Sequence, residues 1–256
     1  MNERVVAPNH PRVGRFYAPP QRPPEACPIC ASGNVRSIGQ FYHHKELVDL
    51  YFCFDCEGVT SPFAKPRGVG TQVDWHLKVQ DRNRGWAASL LDGIGIERPR
   101  VLDIGCGIGT LLECARERGG GGTGFELNAA CVEYGRKSGL DLRCEYWTLD
   151  TQVPPPTLIT CIMVLEHIHQ PRPLLRALVE AGQKYGAPVF ISVPWFTKHH
   201  WSHVSAPVDE DPQHMFRVPA DHVTHFSMAG FERVARSFGA TEVRLIKVGW
   251  YGMLVT

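Results

Sequence analysis

Neither sign of charge is in excess in this 256-residue sequence: 27 Lys and Arg against 26 Asp and Glu leave a net charge of +1. Without a basic excess, a duplex nucleic-acid partner is not expected. No apolar run approaches the roughly 20 residues of a membrane helix, so no bilayer-spanning helix is expected. Arg4, Arg12 and Arg15 are not followed by an apolar stretch, so no secretory leader is expected. At 43% hydrophobic and 21% charged residues, the chain is not a largely disordered one. The nine cysteines do not form the dense, even framework of a disulfide-stapled secreted domain. Five of them (Cys106, Cys114, Cys131, Cys144 and Cys161) fall in segments patterned as strands and helices. The expected location is therefore a reducing compartment, the cytoplasm.

What is present divides into three stretches. Residues 1–24 hold six prolines and no hydrophobic period, which predicts an extended arm. Residues 25–66 carry two C-x-x-C pairs and short β-like runs such as Leu47 to Phe52. From residue 67 to 256, helical and strand patterns alternate. A helix is expected over Trp75–Asp92, stopped near Gly93 and Gly95. Strands are expected at Arg100–Ile104, Thr123–Glu126, Leu140–Cys144, Leu158–Leu165 and Pro188–Val193. Asn128 and Ser227 are expected to cap helices. Val243–Val248 and Trp250–Val255 are expected to form a closing hairpin about Gly249. This alternation predicts an α/β fold with a doubly wound, mostly parallel sheet.

On such a sheet a ligand sits outside the carboxyl ends of the strands, at the first βα turn. Gly105, Gly107 and Gly109 occupy that turn, where side chains would obstruct close approach to the backbone. The helix that begins there favours a negative group. Glu126 follows the second strand, where a carboxylate can accept hydrogen bonds from both hydroxyls of a ribose. The dinucleotide fingerprint needs Gly or Ala where this chain has Thr110, and the sequence reads instead Asp103-x-Gly105-x-Gly107-x-Gly109.

The stretch Val101–Thr110 resembles the first motif of the class I S-adenosylmethionine-dependent methyltransferases. Val164-Leu165-Glu166-His167 is similar to the close of that family's fourth strand, and the resemblance extends over roughly Val69 to Thr256. It implies a Rossmann-like, seven-stranded sheet and S-adenosylmethionine as cofactor. It places Asp103, Gly105, Cys106, Gly107, Gly109, Glu126, Leu127 and Val164 around the cofactor, with Tyr146 and Trp147 beside the adenine. Glu145 and Asp150 are both candidates for the acid on the adenine amino group. Pro156 and Thr157 stand where the family usually has Phe-Asp.

Cys27, Cys30, Cys53 and Cys56 present four thiolates at a spacing that can close a tetrahedron around a structural zinc ion. A module of about 40 residues buries little apolar surface, a deficit that a metal offsets. The segment resembles the zinc-ribbon modules that precede the methyltransferase domain in some enzymes of sugar and secondary metabolism.

Six of the twelve histidines lie between Phe196 and Phe226. His200 and His203 are candidate general bases, because an unperturbed imidazole titrates near neutrality. A catalytic metal on His with Asp209, Glu210 or Asp211, or a plain solvated insertion, are the alternatives. His167, paired with Glu166, is the other candidate base. The resemblance implies methyl transfer to an oxygen or carbon of a small molecule such as a sugar, nucleotide-sugar or natural product. An RNA methyltransferase is the first alternative, but Leu165-Glu166-His167-Ile168 is not the Asn/Asp-Pro-Pro-Tyr type motif of exocyclic-nitrogen methylation. Val193-Pro194-Trp195 likewise supplies no nucleophilic cysteine. A non-catalytic scaffold is the second alternative. Oligomeric state has no sequence signal.

Overall fold

The computed structural model describes residues 23–43, 46–63, 73–196, 222–248 and 250–256. The expected arm, apart from its last two residues, lies outside them, as do His199, His200, His203 and His214. The chain divides into two compact units. One contains the described residues of 1–67, 165–173 and 194–234, and the other those of 68–164, 174–193 and 235–256.

The second unit is built on a seven-stranded sheet. Its parallel strands are β4 (Arg100–Ile104), β5 (Gly121–Phe125), β6 (Asp141–Arg143), β7 (Leu158–Ile162) and β8 (Val189–Ser192). They lie in the order β8-β7-β4-β5-β6, with β4 in the middle. β12 (Trp250–Val255) is antiparallel to β8, and β11 (Val243–Val248) is antiparallel to β12. The expected mostly parallel sheet and closing hairpin are thus both present; Gly249 itself lies outside the described residues. β7 is apolar throughout save Thr160, as a strand covered on both faces must be.

Helices α1 (Val73–Lys78) and α2 (Gln80–Ile94) replace the single helix expected over Trp75–Asp92. The break falls at Val79, whose φ of −111° and ψ of 11° lie outside the helical well. Gly95 ends α2 as expected, in the left-handed conformation with its N–H donating to the Leu91 carbonyl. α3 (Thr110–Glu117) buries Leu111, Leu112, Cys114 and Ala115, the one-face spacing of a helix packed on a sheet. These side chains join Leu90, Leu91, Val101, Leu142, Leu158 and Phe190 in one core. At about 1.5–3 kcal/mol for each large apolar side chain buried, this layer fixes β4 against α3 and so fixes the turn between them. α4 (Ala129–Lys137) is capped by Asn128, whose side-chain oxygen accepts from Ala130 N at 3.0 Å and Cys131 N at 3.4 Å. α5 (Arg172–Tyr185) precedes β8.

β7 ends at Ile162, short of the expected Leu165, because Met163 turns the chain with φ at +55°. Leu165–His167 then forms a 3₁₀ turn. In the first unit this turn is held by β10 (Thr224–Ser227): Val223 N donates to Glu166 O at 2.8 Å, and Thr224 Oγ1 donates to Ile168 O at 2.9 Å. The first unit's own sheet has the order β1-β2-β3-β10-β9, from β1 (Val35–His43), β2 (Glu46–Cys53), β3 (Val59–Thr60) and β9 (Trp195–Phe196). The cysteine segment and the residues before α6 (Met228–Ser237) therefore share hydrogen-bonded strands. Ser227 caps α6 as expected: its Oγ accepts from Gly230 N at 2.9 Å, and it donates to Cys56 O at 2.9 Å.

Candidate functional site

The glycine turn after β4 has the geometry its sequence predicts. Gly105, Gly107 and Gly109 have φ of +76°, +56° and +86°, a region that L side chains rarely enter. A Cβ on Gly105 would lie 2.2 Å from Val164 Cγ2, and one on Gly107 would lie 2.5 Å from His76 Cε1. The turn is pinned to β5 by Gly105 N and Cys106 N, which both donate to the Phe125 carbonyl, at 2.8 and 3.1 Å. The first turn of α3, which starts at Thr110, has no side-chain cap, so its backbone donors and dipole suit an anionic group.

Glu126 lies one residue beyond β5 and turns into this cradle. Its Oε2 accepts from Gly107 N at 3.0 Å, and its Oε1 accepts from Leu127 N at 2.8 Å and Asn128 N at 2.9 Å. Asp103, inside β4, is buried, and its Oδ1 accepts from Thr160 Oγ1 at 2.6 Å. Burial pushes its carboxyl up to about 7 against the pull of the Thr160 hydrogen bond, and the Glu126 charge adds to the rise. Burial likewise pushes the Cys106 thiol well up. Val164 is half-buried, Trp147 is buried and Tyr146 is exposed, as are Glu145 and Asp150.

Two residues of this unit escaped the sequence reading. His76, on α1, lies against Gly107, and burial lowers its pKa while Glu126 acts in the opposite sense. Nothing in the local sequence marks it, since its neighbours read as an ordinary amphipathic helix. Met163, at +55°, is a non-glycine residue held in the left-handed region immediately before Val164. A cavity of about 530 Å³ lined by Arg98, Arg100, Gly120 and Pro154 lies at the opposite, amino edge of the strands. It is not where ligands bind on open sheets of this kind.

In the first unit the four module cysteines converge, with all four sulfurs within 4.8 Å of one another. Cys27 Sγ is 3.6 Å from Cys56 Sγ, and Cys30 Sγ is 3.5 Å from Cys53 Sγ. A tetrahedron with Zn–S bonds of about 2.3 Å has edges of about 3.8 Å, so the donor set fits that ion with little adjustment. The hydrogen bond from Cys56 lowers the Cys27 thiol to about 6, whereas burial raises Cys30 to about 12. The two knuckles repeat one backbone design. Ala31 N donates to Cys27 O and Glu57 N to Cys53 O, and Ala31 and Glu57 both have left-handed φ, +65° and +54°.

The same unit holds Glu166, His167 and His222. Glu166 is buried, and neither of its oxygens has a hydrogen-bond partner among the described residues. Burial pushes its carboxyl up to about 8, with only its own backbone N–H acting against the shift. His167 Nε2 is 3.8 Å from Glu166 Oε1. The His222 ring meets that of His167 edge-on, centroids 4.7 Å apart, and His222 is lowered to about 3, chiefly by burial. His200 and His203, the other candidate bases, lie outside the described residues.

A strand, a bare glycine turn, an uncapped helix and a carboxylate after the next strand together define an α/β unit that binds a nucleotide-like cofactor. Residues 76–245 match the family described as "Methyltransferase domain", and the chain belongs to that family, among the class I S-adenosylmethionine-dependent methyltransferases. It is 35% identical over 106 residues to a ubiquinone biosynthesis O-methyltransferase of Idiomarina loihiensis, covering 38% of this chain and 43% of that protein. It is 33% identical over 147 residues to the protein of that name from Aeromonas salmonicida, covering 54% and 55%. The matches thus span about half the length of these curated relatives. Among solved structures, human N-acetylserotonin methyltransferase in complex with its S-adenosylmethionine shares the fold at a TM-score of 0.54 and 15% identity, over 71% of this chain and 54% of that one. The plantazolicin methyltransferase BpumL does so at 0.52 and 11%, over 72% and 87%. No described helix is long and apolar enough to cross a membrane.

Proposed function

We propose that this protein methylates an oxygen of a small hydroxylated molecule, such as a sugar or another natural product, in a reducing compartment, the cytoplasm. The observation that carries the reading is the Glu126 carboxylate set on the glycine turn, bonded to Gly107 N at 3.0 Å. Glu126 would hold the ribose hydroxyls, the Gly105–Gly109 backbone and the α3 N-terminus the carboxylate end, and Val164 and Trp147 the apolar flank. S-adenosylmethionine, when bound there, supplies a methyl group on a sulfonium that departs as a neutral thioether. The residues of the chain have the tasks of alignment and desolvation, and alignment alone is worth on the order of 7–11 kcal/mol of barrier.

The acceptor hydroxyl must also lose its proton, and we assign that step to the Glu166–His167 pair. The pair begins two residues after Val164 in the chain, and a positioned base contributes about 10²–10⁴-fold. Oxygen is favoured over carbon because the curated relatives quoted above are named O-methyltransferases. The four-cysteine cluster would hold a structural zinc ion, since four sulfur ligands leave no open position for chemistry.

The test is transfer of labelled methyl groups from S-adenosylmethionine across a panel of hydroxylated small molecules. Methyl ethers formed by the wild type but not by Glu126→Ala support the reading. Turnover confined to RNA would contradict it.

A further inference from the structure

Among the described residues, two groups of metal-ligating side chains gather their donor atoms within 4.8 Å: the four cysteines, and Glu166, His167 and His222. We infer that the second group is a separate metal site, taking a divalent cation that prefers nitrogen and oxygen donors, such as zinc(II). Two imidazoles and one carboxylate are the donors of known catalytic zinc sites, and three protein ligands leave a position open.

Three observations point to a ligand rather than to a packed core. Glu166 is 1% exposed, and neither oxygen finds a hydrogen bond among the described residues, a costly arrangement for a buried carboxyl. The Nδ1 of His222 is likewise buried without a hydrogen-bond partner, which leaves a lone pair or a proton unanswered. The backbone around them is fixed by the Val223 N to Glu166 O and Thr224 Oγ1 to Ile168 O hydrogen bonds, which hold His222 beside the 3₁₀ turn. Buried polar atoms without hydrogen bonds, on a backbone tied this well, leave donor capacity for a ligand of another kind.

The geometry is close to what a cation needs. Bonds of about 2.1 Å set donors roughly 3.0–3.4 Å apart, so a group whose donors lie within 4.8 Å must contract by at most about 1.8 Å. The side chain of His167 is 41% exposed and has room to make most of that movement. With Glu166 and His167 as its ligands, a cation here would lower the pKa of a water at its open position, and the base assigned to that pair would be the resulting hydroxide. That use rests on the methyl-transfer reading; the binding of the ion does not.

The test is cobalt(II) titration of the protein as purified, with its cysteine site zinc-loaded, followed by visible absorption. The wild type should bind one equivalent with a spectrum of nitrogen and oxygen ligation, lacking the sulfur-to-metal charge-transfer bands of a thiolate site. His222→Ala and Glu166→Gln should each weaken that binding at least tenfold. Circular dichroism and S-adenosylmethionine affinity, measured on the same samples, separate loss of the site from loss of the fold. A wild type that takes up no cobalt(II), or variants that fold and bind it as tightly as the wild type, would overturn the inference. Ion binding without methyl transfer would leave this site standing and contradict the proposed function alone.

Discussion

The Glu126 carboxylate closes back onto the glycine turn, its Oε2 accepting from Gly107 N at 3.0 Å while its Oε1 takes the Leu127 and Asn128 amides. Three backbone donors hold the acid in one orientation, the preorganisation that its proposed contact with a ribose requires. Its placement depends on β4 and β5 lying parallel in register, Ile104 opposite Phe125, so that the turn after one strand meets the acid after the other.

Gly105→Ala should therefore damage the site at its base. The new Cβ would approach Val164 Cγ2 to 2.2 Å and would hold an L side chain at a φ of +76°. We expect a loss of about 1–3 kcal/mol in urea unfolding and at least a tenfold loss of S-adenosylmethionine affinity. An unchanged midpoint and an unchanged affinity would show that the turn is not tightly constrained.

Asp103 makes stability depend on pH. Its carboxyl is raised from 3.8 to about 7 by burial, so between those values the folded chain holds a proton that the unfolded chain has released. This contribution is fully present at the acid end and is lost as pH rises through about 7. Asp103→Asn keeps the acceptor for Thr160 but cannot ionise. The unfolding free energy of the variant relative to the wild type should rise between about pH 4 and 7. Parallel profiles for the two proteins would contradict the burial of a neutral carboxyl.

Ala31 carries a left-handed φ of +65° in the first cysteine knuckle. Glycine adopts that conformation without the Cβ penalty, so Ala31→Gly should raise stability by about 1 kcal/mol in urea unfolding. A loss of stability would mean that the knuckle does not hold this backbone in solution.

Cys53→Ser removes one of the four sulfur donors. Elemental analysis should find the zinc proposed for the cysteine cluster in the wild type and not in the variant, which should also lose amide-exchange protection in β2 and β3. Retention of the ion at wild-type stoichiometry would contradict the tetrathiolate assignment.

How much of this was legible in the sequence follows from how local each signal is. β4, the glycine turn, α3 and the acid after β5 lie in one run of 27 residues, Arg100 to Glu126, and each is specified by its own period or by glycine. The Asn128 and Ser227 caps were legible for the same reason. The five-stranded sheet was not, because β3 and β9 are two residues each and Thr60 pairs with Thr224 across the chain. His222 meets His167 only through the backbone bond between Val223 and Glu166, which no sequence window contains. The turn at Met163 was masked by the apolar run on both sides of it, which extended the expected strand to Leu165. The break at Val79 was hidden in an otherwise continuous helical period.

The most direct measurement is calorimetric titration of S-adenosylmethionine into the wild type and into Glu126→Ala. The account predicts one site per chain and a loss of about 10- to 100-fold in the variant, the equivalent of roughly 1.4–2.7 kcal/mol for hydrogen bonds to a charged acceptor. A wild type that binds nothing at millimolar cofactor, or a variant that binds as well as the wild type, would contradict it.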